Sequence, residues 1–145
     1  MLLTDSIEMP LGEGWLYETK YDGIRCILFW EKGEPAPVLK SRNNNVLNEM
    51  FPEILRFCEA IYNEVERYLP LMLDGELVYL INDYQSDFSV VQKRGKLRNG
   101  QNVEASAESF PCHYIVFDLL EYVGKSKVNS PLTVRKQLLK ELFNA

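Results

Sequence analysis

The sequence predicts an α+β fold with largely antiparallel sheets flanked by helices. Strand-like runs are interleaved with isolated helical stretches, with no regular βαβ alternation. Short turn signals such as Asp22-Gly23 join neighbouring strand-like runs. The chain has 145 residues, 46% of them hydrophobic and 12% aromatic, which makes one domain with a real core and rules out disorder.

Residues 15–30 read as two strands joined at Asp22-Gly23. Lys32-Gly33-Glu34-Pro35 breaks the pattern, residues 38–41 form a third short strand, and Asn43-Asn44-Asn45 tolerates left-handed backbone angles. A helix follows. Pro52 suits its first turn, and Ile54, Cys58, Ile61, Val65 and Leu69 form one apolar stripe, with Glu53, Glu59, Glu64, Glu66 and Arg67 mostly on the wet side. Residues 71–81 alternate as a strand in which Leu73, Leu77, Tyr79 and Ile81 stand out, while Asp74 and Glu76 share the opposite face.

Ser86 or Asp87 caps a short helix that ends near Gly95. Residues 96–109 are polar, contain Asn-Gly and read as a loop. Residues 112–120 form a further strand, with His113, Ile115, Phe117 and Leu119 alternating to one face. Residues 124–130 are a loop. Thr133 caps a last helix whose Val134, Leu138, Leu139 and Leu142 face inward.

The net charge is −5, so the chain does not bind nucleic acid by bulk positive charge; a local basic patch remains open. Its three cysteines, Cys26, Cys58 and Cys112, lie far apart, and His113 is the only histidine. Such spacing fits neither a zinc site nor a disulfide framework, and it points to a reducing, cytoplasmic setting with the cysteines as small core residues. No apolar run approaches a membrane span and no signal segment opens the chain.

The chemically richest run is Lys20-Tyr21-Asp22-Gly23-Ile24-Arg25. A lysine attacks only when its amine is neutral, a form that burial and a neighbouring cation favour. Arg25 can hold phosphate or carboxylate in a forked geometry. Taken alone, K-x-D-G is also an ordinary turn with glycine at a left-handed position.

Further features follow in order: Ser41-Arg42 before the asparagines, Leu73-Asp74-Gly75-Glu76-Leu77 in the central strand, Asp87-Phe88 with Val91-Gln92 at a helix start, and Phe117-Asp118-Leu119-Leu120 on the last strand. As a set these resemble the adenylation (nucleotidyltransferase) domain of ATP-dependent DNA ligases over residues 15–143. The resemblance implies an ATP-grasp-like nucleotidyltransferase domain of which residues 1–145 are the first part.

By that resemblance Lys20 is the nucleophile that takes AMP from ATP. Glu18 lines the adenine pocket from the same strand face. Arg25 and Arg42 hold the ribose and phosphates, where fixed cations stabilise dispersed negative charge. Glu76 contacts the ribose and helps place Mg2+, and Phe117 stacks on adenine. Asp118 is expected to be structural, and Asp22-Gly23 to shape the lysine turn. The basic residues Lys93, Arg94, Lys96 and Arg98 are either DNA-backbone contacts or a solvated helix end.

The family's next motifs, an E-G-x-x-x-K-like run and a lysine pair, are not found after Phe143, and neither is its C-terminal oligonucleotide-binding barrel. The expectation is a fragment of a ligase that seals nicked duplex DNA in replication, repair or recombination. It would need ATP and Mg2+ but could not seal nicks unaided. An RNA ligase or capping-type nucleotidyltransferase, and a non-catalytic nucleotide-binding remnant, are the alternatives that share the lysine motif.

Overall fold

A computed structural model describes residues 11–144 of the chain. Its centre is a five-stranded sheet built entirely from antiparallel neighbours. The first two strands are β1 (Ile24–Trp30) and β2 (Val38–Ser41). The turn between them needs Gly33, whose φ is +91°. After β2 the chain turns back through Asn44, at φ +64°, and enters α1 (Pro52–Val65) with a proline in its first turn.

Next comes β3 (Leu71–Val78), followed by a small hairpin of β4 (Leu80–Asn82) and β5 (Gln85–Ser86). Two helices follow, α2 (Phe88–Arg94) and α3 (Gly100–Ser109). The chain then runs through β6 (His113–Tyr122) and β7 (Lys125–Ser126) into α4 (Leu132–Phe143). The large sheet has the order β2-β1-β3-β6-β7, which puts β3 at its centre.

Period-two alternation gives the sheet two unlike faces. Cys26, Leu28 and Trp30 of β1 are buried with Leu71, Leu73 and Leu77 of β3, in one core with Ile54, Cys58 and Val65 of α1. Tyr114 reaches under this layer, and its hydroxyl donates to the carbonyl of Cys26 (2.8 Å) and lies 3.1 Å from that of Leu73. Burial holds the Tyr114 phenol well above its ordinary pKa. Gly75 makes this possible, because a Cβ there would lie 2.5 Å from the Ile115 carbonyl and 2.7 Å from the Tyr114 ring. The opposite face carries Arg25 and Ile27 across from Glu76 and Asp74.

Several expectations need correction. Residues 15–19 are not assigned to a strand: among the described residues no strand pairs with them, and Trp15, Leu16 and Tyr17 are 56–58% exposed. Residues 96–109 are not all loop. Asn99 caps α3 by accepting from the amides of Gln101 (3.0 Å) and Asn102 (3.4 Å), and Val103 and Ala107, four apart, are enough to dock it. Thr133 does not cap α4, whose N-cap position is Pro131 and which has no side-chain cap. Ile81 and Val134 are exposed; Leu139 and Leu142 are buried and Leu138 packs against the core, as expected, and Arg135 takes the remaining inward place on α4. Of the two cap candidates for α2, Asp87 is the one used. The three cysteines are free and buried, as expected of core residues.

Candidate functional site

The polar face of β1 and β3 holds a forked ion pair. Arg25 Nε donates to Asp74 Oδ1 (3.1 Å) and Arg25 Nη2 to Oδ2 (2.6 Å). Asp74 is only 1% exposed, and its hydrogen bond raises the Arg25 pKa further against the opposing pull of desolvation. Beside the fork opens a cleft of about 280 Å³ lined by Arg25, Ile27, Phe29, Lys40, Arg42 and Asp74, together with Ser41 and Asn44. Three cations therefore look onto one cavity whose floor is apolar. Arg42 is exposed in the turn after β2, as an arginine at a strand end can be, and the Lys40 ammonium lies 5.7 Å from the Phe29 ring.

Glu76 faces Arg25 across the β1–β3 ladder. Burial pushes its carboxyl pKa up, opposed by the charge of Arg25 and by a hydrogen bond from the Gly23 amide, while Asp74 and Asp22 add to the rise. Gly23 is irreplaceable here: a Cβ would stand 2.1 Å from the Leu77 carbonyl. The glycine expected to shape a turn thus acts by letting the chain press against β3.

Lys20 is exposed and lies outside any strand, contrary to the strand expected before Asp22-Gly23. Its neighbours are nonetheless tied down. The Tyr21 hydroxyl donates to the Asp83 carbonyl (2.6 Å), and Ser86 Oγ accepts from the Asp22 amide (2.8 Å) and donates to the Asp22 carbonyl (2.9 Å). On the other side of Lys20, the half-exposed Glu18 pairs with Lys136 of α4.

Phe117 owes its position to a bulge. Asp74 pairs with Asp118 and Gly75 with Val116, so Phe117 is the extra residue between them. A second irregularity follows between the partners of Met72 and Leu73. The expected one-face alternation from His113 to Leu119 is broken by the first bulge: His113 is exposed, Leu119 is fully buried, and Phe117 sits under the Arg25 guanidinium at 5.5 Å from its ring centre. Asp118 is structural: Arg135 grips it through Nε (2.7 Å) and Nη2 (3.2 Å), both partners largely buried.

The basic cluster divides. Arg94 is 2% exposed and binds Glu53 twice (2.7 and 3.0 Å), the Met50 carbonyl (2.7 Å) and the Phe110 carbonyl (2.8 Å). It is a core staple, and Glu53 is its partner and not a wet-side acid. Lys93, Lys96 and Arg98 are exposed, with Arg98 bonding back to the carbonyls of Gly95 and Leu97 at the helix end.

For a divalent metal, the donor set is sparse. Among the described residues no three His, Cys, Asp or Glu groups converge, and Arg25 occupies both oxygens of Asp74. Glu76 remains as one carboxylate on the site face. Magnesium commonly keeps several waters and takes one or two carboxylates plus substrate phosphates, and a single acid beside a cationic cleft suits that mode.

The geometry thus gathers Arg25, Arg42, Glu76 and Phe117 on or beside one face, and holds Glu18 and the flanks of Lys20 by separate tethers. Sequence reasoning missed Lys40 and Lys136. Lys40 precedes Ser41-Arg42 in an alternating strand and could have been placed on the face of Arg42 by a two-residue count; Lys136 carries no local signal, since its contacts are 118 and 19 residues away.

The chain matches, over residues 3–145, the family model described as ATP dependent DNA ligase domain. It is 41% identical over 136 residues to the bifunctional non-homologous end joining protein LigD of Bacillus subtilis, covering 94% of this chain and 22% of that protein. It is 33% identical over 146 residues to DNA ligase C1 of Mycolicibacterium smegmatis, covering 97% of this chain and 39% of that protein. Among solved structures, the ligase domain of M. tuberculosis LigD superposes with a TM-score of 0.66 at 25% identity, over 88% of this chain and 36% of that one. A mycobacterial DNA ligase D complexed with ATP and MES gives a TM-score of 0.67, also at 25% identity. The chain therefore spans well under half the length of these relatives.

Proposed function

Since the chain belongs to the ATP-dependent DNA ligase domain family, we propose that its polar sheet face is the front half of an adenylation site, with Lys20 as the nucleophile. The observation that carries this reading is the cleft in which Arg25, Lys40 and Arg42 converge beside Glu76 and Phe117. A triphosphate needs fixed positive charge along one wall, and a purine needs an aromatic face.

In the first step the neutral Lys20 amine attacks the α-phosphorus of ATP. An N–P bond forms and the bond from the α-phosphorus to the bridging oxygen breaks. Pyrophosphate leaves with that electron pair, and the amine proton passes to solvent. Arg42 and Lys40 meet the phosphate charge that develops, and Arg25 is presented to the nucleotide by Asp74. Phe117 offers its ring to adenine, and Glu18 borders the base. Glu76 is the residue that would hold magnesium, which when bound neutralises charge on the phosphates.

In the parent ligase, AMP would then move to the 5′-phosphate at a nick, and the 3′-hydroxyl would displace it to join the strands. Nicked duplex DNA is thus the proposed macromolecular partner, and strand joining in replication, repair or recombination the proposed role.

Incubation with α-labelled ATP and magnesium tests the reading. The chain should acquire a covalent label that Lys20→Ala abolishes, and α-labelled GTP should give none. A label that survives Lys20→Ala removes that lysine from the role, and labelling by GTP in place of ATP would favour a capping-type enzyme.

A further inference from the structure

Among the described residues no strand pairs with the segment that carries Lys20, and in-line attack on a phosphorus needs the amine placed to within about half an ångström. Downstream of Lys20, Tyr21 and Asp22 are fixed to the β4–β5 hairpin. Upstream, Glu18 is held by Lys136, and the same ammonium also donates to the carbonyl of Phe117. A lysine ammonium has three donors and no acceptor, so it can join two acceptors that would not otherwise meet. One of these acceptors borders the nucleophile and the other belongs to the bulge residue beneath Arg25.

The neighbouring residue on α4 strengthens the assignment. Arg135 takes the Asp118 carboxylate and Lys136 takes the Phe117 carbonyl, so two consecutive basic residues grip two consecutive residues of the bulge. Arg135 lies deep in the fold, whereas the Lys136 head lies nearer the surface and reaches on to Glu18. Arg135 fixes the bulge, and Lys136 relates the bulge to the segment that carries Glu18 and Lys20.

We propose that Lys136 is a positioning residue for adenylation: it sets the spacing between the Lys20 segment and the Phe117 ring. This rests on the reading of Lys20 as nucleophile and Phe117 as the adenine-stacking ring. Lys136 does not touch the reacting atoms. It acts through Glu18 and the Phe117 backbone. Lys136→Met keeps most of the apolar stem and removes the donors, while Lys136→Arg restores them.

Three readouts on the 145-residue chain test it together. Covalent labelling by α-labelled ATP should fall on the order of tenfold or more in Lys136→Met and recover in Lys136→Arg. Affinity for tripolyphosphate, which lacks a base, should stay at the wild-type level in both variants, because the cationic cleft is untouched. Without nucleotide, amide hydrogen exchange over residues 16–20 should speed up in Lys136→Met and not in Lys136→Arg. Wild-type labelling rates in Lys136→Met overturn the proposal, and so does an equal loss of tripolyphosphate affinity, which would mean general damage. A wild-type chain that takes no label at all counts against the adenylation reading instead; the exchange measurement then decides this one, and unchanged exchange over residues 16–20 overturns it.

Discussion

Two arginine–carboxylate forks in this molecule share their chemistry and differ in depth. In one, Arg94 and Glu53 meet at 2.7 and 3.0 Å, with the arginine 2% and the acid 18% exposed. In the other, Arg25 and Asp74 meet at 3.1 and 2.6 Å, with the arginine 26% and the acid 1% exposed. The order of burial is inverted. Arg94 is the deep anchor and collects the Met50 and Phe110 carbonyls besides its acid, with the Phe51 ring against its guanidinium at 5.1 Å. Arg25 is the shallow partner, held out by a deep acid so that its other side looks onto the cleft and Phe117. A buried acid under a half-exposed arginine is the arrangement expected where the cation serves a ligand. A buried arginine over a shallower acid joins chain segments.

The sharpest test of that contrast is Arg94→Met. It leaves the Glu53 charge with only the Cys112 amide and takes a donor from two backbone carbonyls, and removing one member of a buried charge pair typically costs about 3–5 kcal/mol. Urea unfolding should show a loss of that size. A loss below about 1 kcal/mol, in the range of surface pairs, would mean the fork is solvated and the contrast in depth is not real.

Arg25→Met should give the opposite balance. The stability loss is expected to be smaller, about 1–3 kcal/mol, because solvent at the cleft screens part of the charge left on Asp74. The loss of covalent labelling by ATP should be much larger than that stability loss explains, and should persist at temperatures where the variant is fully folded. The double variant Arg25→Met with Asp74→Leu separates the two contributions. Removing both charges should recover stability and leave labelling lost. Recovery of labelling along with stability would make Arg25 a structural residue like Arg94.

The sequence distinguishes these forks poorly, and the reason is physical. Arg94 stands next to Lys93 and near Lys96 and Arg98, so local composition groups it with a solvated helix end; its partners lie 41, 44 and 16 residues away. Arg25 alternates with the buried Cys26, so its face is readable locally, and the motif around it is what suggests its proposed role. The same division holds elsewhere. Strand β2, the Pro52 helix start, the Asp87 cap and the left-handed Asn44 are set by neighbouring residues and follow from the pattern. The status of residues 15–19 depends on whether another strand lies alongside, which no local pattern encodes. Helix α3 has few apolar positions and a polar start, so its docking through Val103 and Ala107 and its Asn99 cap outweigh a weak periodic signal. The bulge at Phe117 is also a pairing property: the alternation is present in the sequence, and the register with β3 breaks it.

The smallest expected effect concerns Glu76, the acid next to the open fork. Burial raises its folded-state pKa above the unfolded value of about 4.3, against the charge of Arg25 and the Gly23 amide. A carboxyl shifted upward binds its proton more tightly in the folded state. Its contribution is therefore most favourable below the unfolded pKa and declines as pH rises toward the folded pKa, with no further change above it. The ionised acid at neutral pH thus costs stability in the free protein, a cost that binding of a cation could offset. Glu76→Gln keeps an acceptor for the Gly23 amide and removes the charge. Its urea midpoint should lie slightly above wild type at pH 7, and the two should converge at pH 4 and below. If Glu76→Gln instead lies below wild type at pH 7 and the gap closes on acidification, Arg25 outweighs burial at this site and the ionised acid stabilises the fold.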